Sequence, residues 1–294
     1  MQLDFSPAFA RYEALAAEAD AAFAKVSEMC PDFVSCGAGC SDCCHALFDL
    51  TFIEALYLNH KFQAAFPSGP ARDAVLERAN SADRDAAKLK RKAFRAGEQG
   101  VSTRDILESM SRERIRCPLL GDDDHCVLYP FRPITCRLYG VPLEISGEAR
   151  TCGNTGFTPG GRYPTVKIEK LQDKLVALSQ EVVAALPTRL PLLGEMLVPV
   201  SFALVTEFDD DYLGILTEDD LVKSPEAAAP APAAPTPQMQ PLQATLGAAA
   251  PAANCGSCGE TAGSSACSSC GGSTSWVLPG PDGAPTDKDD GHGA

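Results

Sequence analysis

The sequence predicts a mainly α fold: an irregular helical domain over residues 1–223, broken by cysteine-rich loops and followed by a disordered tail over residues 224–294. Three observations carry this prediction. Apolar residues recur at three- and four-residue spacings through long stretches of the first two thirds, the period of a helix that buries one face. Between those stretches lie two regions dense in cysteine, glycine and proline, which punctuate helices rather than extend them. From Ser224 onward the chain turns rich in Ala, Pro, Gly and Ser, with few large side chains whose burial would offset the entropy of ordering it.

Taken in order, Phe9, Tyr12, Leu15, Ala16, Ala19, Phe23 and Val26 share one face, so a helix is predicted over about 7–29, closed by Pro31. Cys30, at that junction, reads as a small buried apolar side chain. Next comes Cys36-Gly-Ala-Gly-Cys40-Ser-Asp-Cys43-Cys44, where the glycines let the backbone wrap closely around a small object. His45 to Leu50 reads as a short extended segment, and Thr51-Phe-Ile-Glu54 has the spacing of a capping box. The helix it opens runs to about Phe66, with Phe52, Ala55, Leu56, Asn59 and Phe62 on one face.

Pro70 fits the first position of the next helix, which runs to about Arg95 on Val75, Ala79, Ala82, Ala86, Leu89 and Ala93. Its basic run, Lys88 to Lys92, reads as a solvated face near a helix C-terminus. Ser102, with Asp105 three residues on, caps a helix reaching about Arg114. The prolines and aspartates from Cys117 to Arg137 predict a rigid irregular loop. Within it, Asp122, Asp123 and Asp124 lack the ligand spacing of a calcium loop and read as a solvated turn. Ile168, Leu171, Leu175, Leu178, Val182 and Leu186 predict a further helix ending before Pro187, and Leu192 to Leu216 accommodates another helix and a short strand.

Charge and hydropathy exclude several classes of function. A net charge of −14 argues against nucleic-acid binding, which needs clustered Lys and Arg. The most apolar run, Leu190 to Val205, is broken by Pro191, Glu195 and Pro199 and predicts buried core rather than a membrane span. The first residues lack the basic and apolar regions of an export signal, so thirteen cysteines are expected to be reduced thiols in the cytoplasm.

Thiols at this density point to a metal. The candidate ligands are Cys36, Cys40, Cys43, Cys44, Cys117, Cys126 and Cys136, with Cys152 as a more loosely spaced eighth. The order Cys36-x3-Cys40-x2-Cys43-Cys44, then Cys117-Pro-Leu-Leu, then Cys126-x2-Tyr129-x2-Arg132-Pro133-x2-Cys136-Arg137 resembles the YkgJ-like cysteine-cluster proteins. That family is described as carrying a zinc- or iron-chelating domain related to the domain of flagellin lysine N-methylases. The resemblance spans roughly residues 30–155 and implies a chelated metal or cluster without supplying a reaction.

Independently of that resemblance, soft thiolates select zinc or iron–sulfur clusters. A closed centre takes about four protein ligands, so eight thiols exceed the need of one: either two centres share the first loop or some thiols support the others. Adjacent Cys43 and Cys44 are expected to point in different directions. Gaps of three, two and zero residues, rather than paired Cys-x2-Cys knuckles, favour an iron–sulfur cluster over zinc. Arg132 and Arg137 would contact the cofactor by offsetting thiolate charge and donating to sulfur, with surface ion pairs as the plain alternative. His45 and His125 stand beside ligand cysteines and are left out of the ligand set, while Tyr129 reads as packing.

In the tail, Cys255-Gly-Ser-Cys258 and Cys267-Ser-Ser-Cys270 form two knuckles eight residues apart, either a second metal-dependent site or unliganded thiols. The sequence therefore predicts a redox or metal-handling protein. Two alternatives stand beside it: a group-transfer, methyltransferase-like enzyme using the cluster, and a zinc-stapled module that binds a protein partner.

Overall fold

The computed structural model describes residues 3–37, 39–145, 147–158, 160–217 and 274–277. Its helices are α1 (Ser6–Met29), α2 (Phe52–Ala65), α3 (Pro70–Glu98), α4 (Thr103–Ser111), α5 (Ile134–Leu138), α6 (Ile168–Ala184) and α7 (Val200–Val205). Short strands complete it: β1 (Asp49–Thr51), β2 (Leu143–Ile145), β3 (Glu148–Arg150), β4 (Arg162–Lys167), β5 (Leu197–Pro199) and β6 (Thr274–Val277). The mainly α class expected from the periodicity is the class observed.

α2 is the spine. Its residues Phe52 to Asn59 are all buried, as is Phe62, so the single apolar face expected there is in fact burial all round over two turns. The reason is that α2 serves two cores at once. Phe52, Ile53, Leu56 and Tyr57 join α1, α5 and α6 in one cluster, while Ala55, Leu58 and Phe62 join α3, α7 and the 119–128 loop in the other. Polar groups within this buried helix are satisfied: Asn59 donates from Nδ2 to the carbonyls of Ala203 at 2.9 Å and Thr206 at 3.0 Å, which fixes the end of α7 against the spine.

The helix boundaries follow local chemistry. The Cys30 N–H closes α1 on the Val26 carbonyl at 2.9 Å before Pro31, and Ser102 accepts the Asp105 N–H at 3.1 Å to open α4. α3 runs one turn past its expected end, to Glu98, and stops before Gly100, whose φ of 83° is left-handed. α4 stops at Ser111, short of Arg114, because Arg114 pairs in a bridge with Ala46 beside the first cysteine loop. The basic run on α3 sits in ion pairs: Lys88 with Asp85, Lys90 with Asp49 and Lys92 with Glu113.

β1 pairs antiparallel with β5, setting Asp49 opposite Pro199. The second sheet has the order β3-β2-β4-β6, with β2 and β4 parallel. β6 comes from the stretch read as a tail and pairs antiparallel along β4, Thr165 opposite Thr274. The rest of 224–294, including both tail knuckles, lies outside the described residues. Among the described residues, no helix is long and apolar enough to cross a membrane.

Candidate metal centre

The two cysteine-rich stretches are brought together by backbone contacts. Cys43 and Cys44 sit on a single 3₁₀ turn, Asp42–His45, entered through Gly39 at a left-handed φ of 83°. The Cys117 N–H donates to the Cys44 carbonyl at 2.7 Å, and the Ile115 N–H donates to His45 at 3.1 Å, so the second stretch is laced along the first. From there the chain makes a tight hairpin. Val127 N–H bonds the Leu119 carbonyl at 2.8 Å, Gly121 N–H bonds His125 at 2.8 Å, and Asp124 takes a left-handed φ of 58° at the tip. Asp122 to Asp124 thus form the exposed turn that their spacing predicts.

The third support comes from α2. Glu54 accepts the Ile134 N–H at 3.1 Å on one oxygen and the Thr51 N–H at 3.1 Å on the other. One buried carboxyl thus caps its own helix and the start of α5, the helix that carries Cys136. Burial pushes the Glu54 carboxyl up, with the bonds from Thr51 and Ile134 pulling against it.

Seven of the expected ligands, Cys36, Cys40, Cys43, Cys44, Cys117, Cys126 and Cys136, line one cavity of about 60 Å³. Arg132 lies on its wall, as do His125 and Tyr129. Cys43 and Cys44 both face it, unlike the divergence expected of neighbours. The cavity wraps around the 3₁₀ turn, and the two thiols are hydrogen-bonded to each other. Cys152 lies off this cavity and lines a smaller one of about 10 Å³ with Cys36, Cys40 and Cys43. Cys30 is buried in the apolar core, as expected.

Among these thiols, Cys43 is the one whose pKa is held down. Hydrogen bonds from the Cys136 and Cys44 thiols hold it far below the ordinary thiol range, with Arg132 nearby adding to the effect. Cys44 and Cys136 are pushed up in turn, chiefly because each donates to Cys43. Burial pushes Cys36 and Cys126 up, and takes Cys117 to about 12. Among the described residues, no three His, Cys, Asp or Glu side chains stand around a single point as a preformed set of ligands. The thiols of Cys43, Cys44 and Cys136 bond to one another instead.

Two features of the site fit thiolate ligation. Backbone N–H groups of Leu119 and Leu120 are directed at the Cys117 sulfur, the Leu128 N–H at Cys126, and the Asn154 N–H at Cys152 at 3.3 Å. Such donors stabilise negative charge on sulfur, which an inert buried thiol does not need. The other feature is Gly140, where an added Cβ would meet the Cys36 Cβ at 2.6 Å and Sγ at 2.8 Å, so the absence of a side chain leaves room for Cys36 against the turn that follows α5.

Arg132 and Arg137 separate in role. Arg132 stacks on Tyr129 with its guanidinium 3.6 Å from the ring centre, and its charge reaches Cys36, Cys43 and Cys126. Tyr129 therefore does pack, holding the arginine at the cavity. Arg137 turns away from the thiols and donates to Asp20 at 2.6 Å, to the Arg132 carbonyl at 2.8 Å and to the Pro130 carbonyl at 2.7 Å. It is a clasp that ties the second loop to α1.

Asp42 and Tyr139 belong to the site and were not expected from the sequence. Asp42 accepts the Cys152 thiol at 3.3 Å and is held by Arg114. Burial works to raise its carboxyl, yet bonds from Arg114, Cys152 and Tyr139 outweigh it and hold the group below 3.8. The signal was present as an acid between two ligand positions, but its partner lies 110 residues away. No family model, curated protein or solved structure matches this chain.

Proposed function

We propose that the chain is a cytoplasmic redox or metal-handling protein of the YkgJ-like kind that holds an iron–sulfur cluster through the seven cysteines of the larger cavity. The observation that carries this reading is the convergence of those seven thiols on a space of about 60 Å³. Organic substrates and cofactors occupy pockets of roughly 300 Å³ or more. A space this small and this rich in sulfur suits an inorganic group. Bound there, the group would supply one-electron chemistry or a transferable metal.

The chain's own residues do the rest. Cys36, Cys40, Cys43, Cys44, Cys117, Cys126 and Cys136 would hold the group, and Arg132 would offset its negative charge. Backbone N–H groups at Leu119, Leu120 and Leu128 donate toward sulfur and so tune how readily charge accumulates there. Surrounding apolar side chains, Phe48, Leu119, Leu128 and Val200, limit water on one side of the cavity.

Anaerobic purification followed by iron, zinc and acid-labile sulfide analysis tests the reading. A brown protein containing iron and sulfide, with broad visible absorption that bleaches on reduction, is expected. Colourless, sulfide-free protein with stoichiometric zinc would replace it with the zinc-stapled module.

A further inference from the structure

We infer that the eight thiols divide between two metal centres, a deep one held by Cys44, Cys117, Cys126 and Cys136 and an outer one held by Cys36, Cys40 and Cys152, with Cys43 shared. This rests on the reading of the thiols as metal ligands, and it moves Cys36 and Cys40 from the cluster to a separate mononuclear site. The deep side's own four thiols, and the outer three plus the shared one, each meet the roughly four ligands that a closed thiolate centre takes.

Two observations bear on the division. Cys44, Cys117, Cys126 and Cys136 line the larger cavity and not the smaller, Cys152 lines the smaller and not the larger, and Cys36, Cys40 and Cys43 line both. The sizes differ as the contents would. The outer space, about 10 Å³, is close to the roughly 10–15 Å³ that one water-sized atom needs, whereas the deep one, about 60 Å³, has room for several.

Hydrogen bonding follows the same line. Cys44 and Cys136 both donate to Cys43 on the deep side, while Cys36 bonds Cys40 and Cys152 bonds Asp42 on the outer side. Cys36 and Cys40 line the larger cavity as well, and as ligands of the outer ion they would form the wall between the two centres.

Asp42 gives the outer site its chemistry. Arg114 holds the carboxylate in place, and its Oδ2 already accepts the Cys152 thiol proton at 3.3 Å. When a divalent ion such as Zn²⁺ or Fe²⁺ binds, the S–H bond breaks, a metal–sulfur bond forms and the proton passes by way of Asp42 to solvent. No electron is transferred, and the ion keeps its oxidation state.

The test uses the full chain, purified anaerobically, as wild type and as Cys152→Ser, Cys36→Ser and Cys117→Ser. The tail cysteines are present in every form, so differences between forms exclude them. Cys152→Ser and Cys36→Ser should each lose about one metal ion per chain and keep the visible absorption and sulfide of the deep centre. Cys117→Ser should lose that absorption and keep the outer ion.

Chelator titration of the wild type with alkylation mapping keeps the test independent of whether the variants fold. Cys36, Cys40 and Cys152 should become reactive together, before Cys117 and Cys126. Wild-type metal content in Cys152→Ser, or release of all eight thiols in a single step, overturns the division while leaving one centre standing. Wild-type protein without iron or zinc overturns the ligand reading itself, and the division with it.

Discussion

The absence of one methyl group sets where Cys36 stands. A Cβ at position 140 would fall 2.6 Å from the Cys36 Cβ, a backbone-anchored atom that cannot swing aside. Gly140→Ala should therefore cost about 1–3 kcal/mol, as overpacking does, and lower metal content by displacing the thiol. Denaturant melts and metal analysis check both, and an unchanged protein would mean that this contact relaxes freely. Asp42 makes a prediction in pH. Its folded carboxyl lies below the ordinary 3.8, so it contributes stability above that value that is lost as pH falls through the lower folded one. Asp42→Asn lacks this contribution throughout, so the stability gap to wild type should be open at pH 7 and close as pH falls through the ordinary carboxyl value and then the lower folded one. A gap constant over that range would contradict the Asp42–Arg114 clamp.

At this scale the sequence was legible for the thiols that converge and mute for their supports. Cysteines announce themselves by density and spacing, and the capping box of Thr51 and Glu54 is local. That the same Glu54 caps α5 depends on a contact across 80 residues. Nothing in spacing distinguishes Arg137, a clasp to α1, from Arg132, which stacks at the cavity.

Among the elements, α2 carries the most. Glu54→Ala would leave the Ile134 and Thr51 N–H groups buried without their acceptor, and at about 1–3 kcal/mol for each unmet group the loss should be roughly 2–6 kcal/mol. Because α5 also loses its anchor, Cys136 should become the first ligand to react with an alkylating agent. Equal protection of Cys136 in variant and wild type would show that α5 is held by its packing alone. The helices themselves were readable because a 3.6-residue period survives single interruptions. Strands of three residues, such as β1, β2 and β5, leave too few alternating positions to read, and α2 looked amphipathic because burial on its second face is set by α3 and α7.

For the whole molecule, two cores meet along α2 and the cysteine loops bridge them. The larger cavity is lined from α5 on one side and from the 117–128 loop and Val200 on the other. Metal bound there would tie the two halves together, so chelation should lower the melting temperature as well as free the thiols. Removing everything after Lys223 takes away β6, an edge strand of four residues, and none of the eight candidate ligands. Core metal content should persist in the truncated chain, and its loss would make the tail cysteines primary ligands.

The central claim is that these eight thiols, brought together from four parts of the chain, hold metal. Residue-resolved alkylation of the anaerobically purified full chain, before and after chelation, tests it most directly. Cys36, Cys40, Cys43, Cys44, Cys117, Cys126, Cys136 and Cys152 should be protected as purified and become reactive when metal is removed, while Cys30, buried in the apolar core, stays protected in both for as long as the chain remains folded. Free reaction of the partly buried Cys36, Cys40 and Cys126 in the protein as purified, with no change on chelation, would contradict it.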